Sequence, residues 1–571
     1  MYQDKIKIII KNALLEAGFE ELKDFVIEKP KDKRFGDYST NVALIAAKKY
    51  GKNPHEIAEI ISQKIISKEF RIEIAGVGFI NFYFNNEIYF EVVKNILALG
   101  SQYGSSKIGE DRKVLVEYSE PNVNKYLHIG HARNDFLGMA LANILQFSGY
   151  KVIKANYYND RGIAIAKTML MYDKYHQGED PVTLGIKPDV FVGKIYAEYE
   201  KELENHPELK QEAADYLIRY EAEDPQIIKL WKKITNWAYM GFNQTYKREG
   251  SHFDVIFHES EIYKKGKAVV QKYLEKGIFQ KAQDGHIFID LTNYGLDEKV
   301  LMRSDGTAIY ITSDLVLAEE KEKMGIDKSI YVVDIYQSYH FKVLFKIFEL
   351  LGYKWASKCF HLGYGYVFLG DKKMSSRKGN TIATDELLDD LKKKIRIMMT
   401  SAQKQKVTND KEREDVAESL ALGAAKYTML KYEEQKDIRF IPDETIKLEG
   451  DTGPYLQYTY ARIKGILKKS LIGNLDDLNT ETKINTSENE LITHLVKFPE
   501  VIKKVSMSYK PHFLCNYLFN LAQLFNSFYN VSPVLKSENE TKKFRLALCM
   551  ASAQVLKNGL DLLNIDTPER L

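Results

Sequence analysis

Residues 117 to 136, "EYSEPNVNKYLHIGHARNDF", bring carboxylates, asparagines, Lys125 and a His-x-Gly-His into one short passage. The spacing of His128 and His131 puts both imidazoles on the first turn of a helix, where they can donate hydrogen bonds to phosphate oxygens. Backbone N–H groups at a helix start carry the positive end of the dipole, and Gly130 lets a flat or charged ligand approach the main chain. The passage is a candidate nucleotide site. Two plainer readings stand beside it. A histidine near a helix start is often a cap or a solvated side chain, and a His pair can bind metal, although the His-Glu-x-x-His pattern is absent and no third ligand is evident.

The elements around the passage give it a place. "KVLVEY" (113 to 118) reads as a buried strand of a parallel sheet. Leu137, Ala140, Leu141, Ile144 and Leu145 then recur at helical spacing, and the helix is expected to stop near Gly149. "KVIKANYY" (151 to 158) reads as a second strand, so the histidines occupy the strand-to-helix turn of a βαβ unit. Further strands are expected at "HIFIDL" (286 to 291), "TAIYIT" (307 to 312) and "KSIYVVDI" (328 to 335). Between about 165 and 285 the pattern is charged and helical, as in an insertion on the sheet. Residues 1 to about 108 read as a small α+β unit with a loop at "DKRFGDYST" (32 to 40). Beyond about 390 the chain reads as helices, with a mobile polar loop at 474 to 490.

A chain of 571 residues is too long for one core, so two to four domains are expected. A net charge of +3 does not by itself announce nucleic-acid binding. Cys359, Cys515 and Cys549 are far apart, which indicates neither a disulfide framework nor a structural zinc. The charged, amphipathic N-terminus does not read as a secretory signal, and no apolar stretch is long enough to span a bilayer. A cytoplasmic protein is the expectation. His252, His258 and Glu259 have a metal-like composition without metal-like spacing and are read as structural.

"GDKKMSSRKGNTI" (370 to 382) is a second concentration of signal, a basic loop that reads equally as a solvated turn or a phosphate clamp. With the histidine turn it resembles the class I aminoacyl-tRNA synthetases, whose signatures are HIGH and KMSKS. The HIGH match, 128 to 131, is letter for letter. "EYSEPNVNKYLHIGHAR", "SDGTAIYITSD", "EGDTGPYLQYTYARI" and "QVLKNGLDLLNIDTPERL" resemble the arginyl branch. Lys373, Met374 and Ser375 match the start of KMSKS, but Ser376 stands where its second lysine would be, with Arg377 and Lys378 following. That leaves Lys378 or Lys125 to neutralise the triphosphate.

The resemblance implies a multidomain α/β chain. An N-terminal α+β domain that binds the tRNA D-arm (1–110) would precede a Rossmann-like parallel-sheet catalytic domain (111–390) with a helical insertion at about 165–285, followed by an all-α anticodon-binding bundle (391–571). It implies ligation of L-arginine to tRNA(Arg) through an adenylate, with ATP and Mg²⁺, no zinc, no membrane and a monomeric state. His128, His131, Lys125, Lys373 and Lys378 would carry the chemistry, and Gly130, Met374, Ser375 and Ser376 would join His128, His131 and Lys373 around ATP. Glu117 and Asp314 would face the guanidinium with Tyr310 beside them, while Asn122 and Gln337 hold the α-amino and carboxylate end. Asp314 also reads as a helix N-cap. Phe79 and Asn81 would read a D-arm base, and Tyr455, Tyr458 and Arg462 would lie on the anticodon surface. The lysine run 391 to 406 reads as a solvated helix. A catalytically degenerate tRNA-binding paralogue and a glutamine or glutamate enzyme are the competing readings.

Overall fold

Strands of alternating and continuous apolar character pair as expected, and helices cover them. The structure, a computed structural model, describes residues 2–22, 24–30, 32–307, 309–370, 372–373, 381–401, 409–470 and 478–571. The chain divides into two compact units. One comprises Met1–Gly104, Arg462–Val501 and Asn520–Asn558, the other Ser105–Ala461, Ile502–Phe519 and Gly559–Leu571.

In the first unit, β1 (Ile27–Glu28), β2 (Tyr38–Thr40), β3 (Phe70–Ala75) and β4 (Phe79–Phe84) form an antiparallel sheet in the order β1-β2-β4-β3. The segment expected as a loop at 32 to 40 ends in β2, because Tyr38, Ser39 and Thr40 pair with Phe82, Asn81 and Ile80. Gly36 makes the entry possible: at φ 90° it turns the chain where a Cβ would stand 2.8 Å from the Phe82 carbonyl oxygen.

The second unit is built on β5 (Lys113–Glu117), β6 (Lys151–Tyr158), β7 (Val255–His258), β11 (Lys328–Asp334) and β12 (Phe360–Tyr364), all parallel, in the order β12-β11-β5-β6-β7. A separate antiparallel sheet of β8 (Gln280–Lys281), β9 (Ile287–Ile289) and β10 (Lys299–Met302) takes up the expected "HIFIDL" strand. From β5 the chain winds one way to β6 and β7, then returns to the other side for β11 and β12. The crevice between β5 and β11 is therefore the topological switch point, where ligands of open α/β sheets bind beyond the carboxyl ends.

Three helices position the site: α1 (Ile129–Phe147), α2 (Pro225–Glu249) and α3 (Tyr310–Lys323). α1 ends one residue before the Ser148-Gly149 turn, as its sequence implied, and Gly138 lets it press on β5, since a Cβ there would meet Tyr118 Cγ at 2.2 Å. The "TAIYIT" strand is a correction. From Tyr310 the chain is helical, with Ile311, Leu315 and Ala318 buried on one face, so packing of a 3.6-residue period overrides the β preference of the isoleucines and tyrosine. The expected polar loop at 474 to 490 is a second correction at its end. A helix runs over Thr486–Leu495, capped by Asn485 and Glu488 in a reciprocal box. Helices Gly453–Lys468, Phe498–Ser508, His512–Val531 and Asn539–Leu562 fill much of the remaining C-terminal part.

Candidate active site

β5 delivers Glu117 to the switch point, and the following residues turn through left-handed backbone at Ser119 (φ 79°) and Glu120 (φ 50°). Asn134 of α1 accepts from the Ser119 N–H at 2.8 Å and donates to the Val332 carbonyl at 2.8 Å, tying the turn to β11. His128 is the N-cap of α1. Its Nδ1 accepts from the Gly130 N–H at 3.1 Å, and His131 Nδ1 accepts from the His128 N–H at 3.1 Å, a reciprocal capping box. A Cβ on Gly130 would stand 3.0 Å from the His128 ring, so glycine lets the cap close.

These caps fix the tautomers. A ring nitrogen that accepts from a backbone N–H carries no proton, so both histidines present Nε2–H outward. Burial, then the Lys125 charge, pull His128 down to about 4. Burial, then His128 and Lys125, hold His131 well below the ordinary histidine value. Two neutral rings with centroids 4.0 Å apart thus offer donors where α1 begins. The cap reading and the phosphate reading use different nitrogens of the same rings.

The segment following the second basic loop comes back to this turn. Tyr126 OH donates to the Thr381 carbonyl at 2.9 Å, Thr384 N–H donates to the Leu127 carbonyl at 3.0 Å, and His128 bridges Ala383. Behind the turn, the buried Arg133 donates to the carbonyls of Gly365 at 2.5 Å and Glu434 at 2.8 Å.

On the other side of the crevice lies an acidic group. Glu117 is 4% exposed, and its Oε2 is 2.9 Å from Nζ of Lys321, which is 1% exposed. Lys321 Nζ also lies 4.1 Å from the centroid of the Tyr331 ring. Burial opposes the lysine charge, but Glu117 and Tyr331 outweigh it and hold the ammonium above its ordinary range. Asp314 of α3 is half-buried, with Oδ2 3.2 Å from His340 Nε2. Asp334 closes β11 and accepts from the Tyr336 N–H at 3.0 Å. A cavity of about 540 Å³ nearby is lined by Asn122, Asn124, Arg161, Arg303, Ser313 and His340, among others.

Residues 92–441, more than half of the chain, match the family described as tRNA synthetases class I (R), catalytic domain. This chain belongs to that family. Residues 4–84 match the arginyl tRNA synthetase N-terminal domain and 456–571 the DALR anticodon binding domain. The chain is 36% identical over 595 aligned residues to the arginine–tRNA ligase of Bacteroides thetaiotaomicron, covering 100% of both chains. To that of Flavobacterium psychrophilum it is 38% identical, with 91% of this chain and 90% of the relative covered. The solved arginyl-tRNA synthetase of Thermus thermophilus superposes with a TM-score of 0.81 at 27% identity over 100% of both chains.

Within this synthetase, the residues expected at the site fall into three groups. His128, Gly130, His131 and Lys125 lie on the capped turn, with Glu117, Asn122 and Asp314 around the same crevice. Asn122 pairs with Asn159 in a bridge, Tyr310 is the first residue of α3, and Gln337 ends a 3₁₀ turn and is exposed. The N-cap reading of Asp314 is replaced, since it lies five residues into the helix. Lys373 is in the short strand Lys372–Lys373, whereas Met374, Ser375, Ser376 and Lys378 lie outside the described residues. Farther off, Phe79 opens β4 half-buried, while Asn81 is buried and its Oδ1 accepts from Ser39 Oγ at 2.7 Å. Tyr455 and Tyr458 are half-buried, and Arg462 donates to Asn526 Oδ1 at 2.8 Å beneath the Tyr529 ring.

Lys321 escaped the sequence reading because "LVLAEEKEK" looks like a solvated helix. Its signal was there: Asp314, Leu317, Ala318 and Lys321 are spaced i, i+3, i+4 and i+7, one face of α3. Among the described residues no group of three His, Cys, Asp or Glu side chains is arranged to hold a metal ion. No helix among them is long and apolar enough to cross a membrane.

Proposed function

We infer that this chain joins L-arginine to the 3′ end of tRNA(Arg) in two steps, for translation. The arginine carboxylate attacks the α-phosphorus of ATP, displacing pyrophosphate, and a terminal ribose hydroxyl of the tRNA then takes the arginyl group and releases AMP. The carrying observation is the meeting of the capped His128–His131 turn and the Thr381–Thr384 segment at the β5/β11 crevice.

In this reading the two neutral histidines donate Nε2–H to phosphate oxygens as charge moves towards pyrophosphate, and Lys125 supplies a cation beside them. Lys373 and Lys378 carry the same role from the second loop, with Gly130, Met374, Ser375 and Ser376 around the nucleotide. No covalent nucleophile is needed, because the substrate carboxylate is the nucleophile. Mg²⁺ would come with ATP; the described donor set fits a metal held by phosphate and water better than a cage of protein ligands. Glu117 and Asp314 recognise the guanidinium, Tyr310 flanks it, and Asn122 and Gln337 hold the other end. Phe79, Tyr455, Tyr458 and Arg462 are the proposed RNA contacts, with Asn81 contributing through its backbone strand. A monomer in the cytoplasm is the proposed state.

ATP–pyrophosphate exchange with and without total tRNA tests this. Exchange with arginine, and none with lysine, glutamine or glutamate, is expected. Tight tRNA binding with no exchange for any amino acid would leave a binding protein instead.

A further inference from the structure

Glu117, Asp314 and Asp334 all act on Glu120, and among the described residues the buried cation that acts against them is Lys321. Lys321 is already committed: its Nζ is 2.9 Å from Glu117 and packs on Tyr331. Asp314 has His340, with Nε2 3.2 Å from its Oδ2. Glu120 has no such ion pair among the described residues. Its Oε1 is out of solvent and without a hydrogen-bond partner among them; Glu117 Oε2 shares that state but has Lys321 beside it. The Glu120 backbone N–H is held by Asn156 Oδ1 at 3.0 Å, so the side chain is placed by a fixed turn.

A buried carboxylate without a donor is costly, and such a group stays neutral until a cation reaches it. We propose that Glu120 is a specificity-determining residue of the amino-acid site, and that its carboxylate receives the substrate guanidinium together with Glu117 and Asp314. The proposal rests on the arginine-ligase reading and extends it to a residue outside the set that the family pattern supplies. A guanidinium presents several N–H donors in one plane, enough to meet Glu120 while Glu117 keeps its bond to Lys321.

The groups facing Glu120 define the protonic consequence. Glu117 stands at the end of its own strand, Asp314 and Lys321 come from α3, Asp334 from β11 and Tyr364 from β12. Burial first, then Glu117, raise the Glu120 carboxyl well above its ordinary value, with Asp314 and Asp334 adding to this and Lys321 opposing it. In the empty site this favours the protonated carboxyl. When arginine enters, the guanidinium stays protonated, the Glu120 O–H bond breaks, and its proton leaves to solvent. Arginine binding therefore releases a proton and tightens as pH rises, until Glu120 ionises in the empty site as well.

The test compares wild type with Glu120→Gln, an isosteric change. Arginine KM in the exchange assay, with tRNA present, is measured from mildly acid to mildly alkaline pH, with ethylguanidine as a competitive inhibitor and ATP KM as the control. Wild type should show arginine KM falling with pH, by about tenfold per pH unit at the steepest. The variant should have a raised arginine KM, a flattened pH profile, weaker inhibition by ethylguanidine and an unchanged ATP KM. Glu120→Asp should recover part of the pH dependence. A variant that binds ATP normally but keeps the wild-type arginine KM and pH profile would overturn the proposal. So would a raised arginine KM with ethylguanidine inhibition unchanged, since the contact would then lie elsewhere on the substrate. Absence of arginine exchange in wild type would instead overturn the arginine-ligase reading.

Discussion

Two buried acidic groups flank the histidine helix, and they differ in what can reach them. In front, the buried Glu117 stands with Glu120, Asp314 and Asp334, three acids that retain some exposure. Behind, Asp135 of α1 and Glu249 at the end of α2 are 0% and 1% exposed. Burial pushes Asp135 up to about 7, and burial together with the Asp135 charge raises Glu249 well above its ordinary value. The nearby Lys426 is itself pulled down to about 8 by burial. Both groups are short of positive charge. The rear pair meets the shortage by keeping protons, whereas in the front group Asp314 pairs with His340, which lines a cavity of about 540 Å³. Burial of acids alone does not mark a binding site; burial beside an entrance does.

The sharpest separation of chemistry from recognition is at the turn between the two groups. His128→Ala and His131→Ala are each expected to lower the exchange kcat by about 10²–10³-fold, the usual loss for one donor to developing charge, with arginine KM little changed. Purified variants assayed at saturating arginine and ATP check this; a loss confined to arginine KM would place the histidines on the recognition side.

Glu117→Gln comes next. Truncating one partner of a buried ion pair costs about 2–5 kcal/mol, so arginine kcat/KM should fall by a factor on the order of 10² while ATP KM holds. Equal damage to both substrates would remove Glu117 from recognition and leave it as a structural partner of Lys321.

The rear pair should show the smallest effect and a different one. Folded Asp135 holds a proton up to about pH 7, which the unfolded chain releases near its ordinary value of 3.8, so stability falls as pH rises through that interval. Asp135→Asn should flatten the fall, read as Tm against pH, and leave arginine KM unchanged. A Tm profile parallel to wild type would show that the rear pair does not titrate there.

Much of this arrangement was legible before any fold was known. The change from period 2 in "KVLVEY" to period 3.6 after Gly130 located the strand, turn and helix, because burial on one face forces those periods. The turn's caps are local, three residues apart, and local chemistry is what a sequence displays. Contacts across long separations were not legible. Lys321 joins Glu117 over 204 positions, and Thr384 reaches Leu127 across the whole insertion. The "TAIYIT" strand failed for a related reason: Ile309 and Ile311 pack on a core supplied by other parts of the chain. Asn81 shows a third case, a polar residue whose partner, Ser39, is set by strand register.

The central claim is that the front group reads positive charge. The most direct measurement is exchange, with tRNA present, of arginine against citrulline, its neutral near-isostere. Robust exchange is expected with arginine, and a kcat/KM lower by about 10⁴-fold or more with citrulline, since neutral urea leaves buried acids unanswered. Comparable exchange from the two amino acids would contradict it.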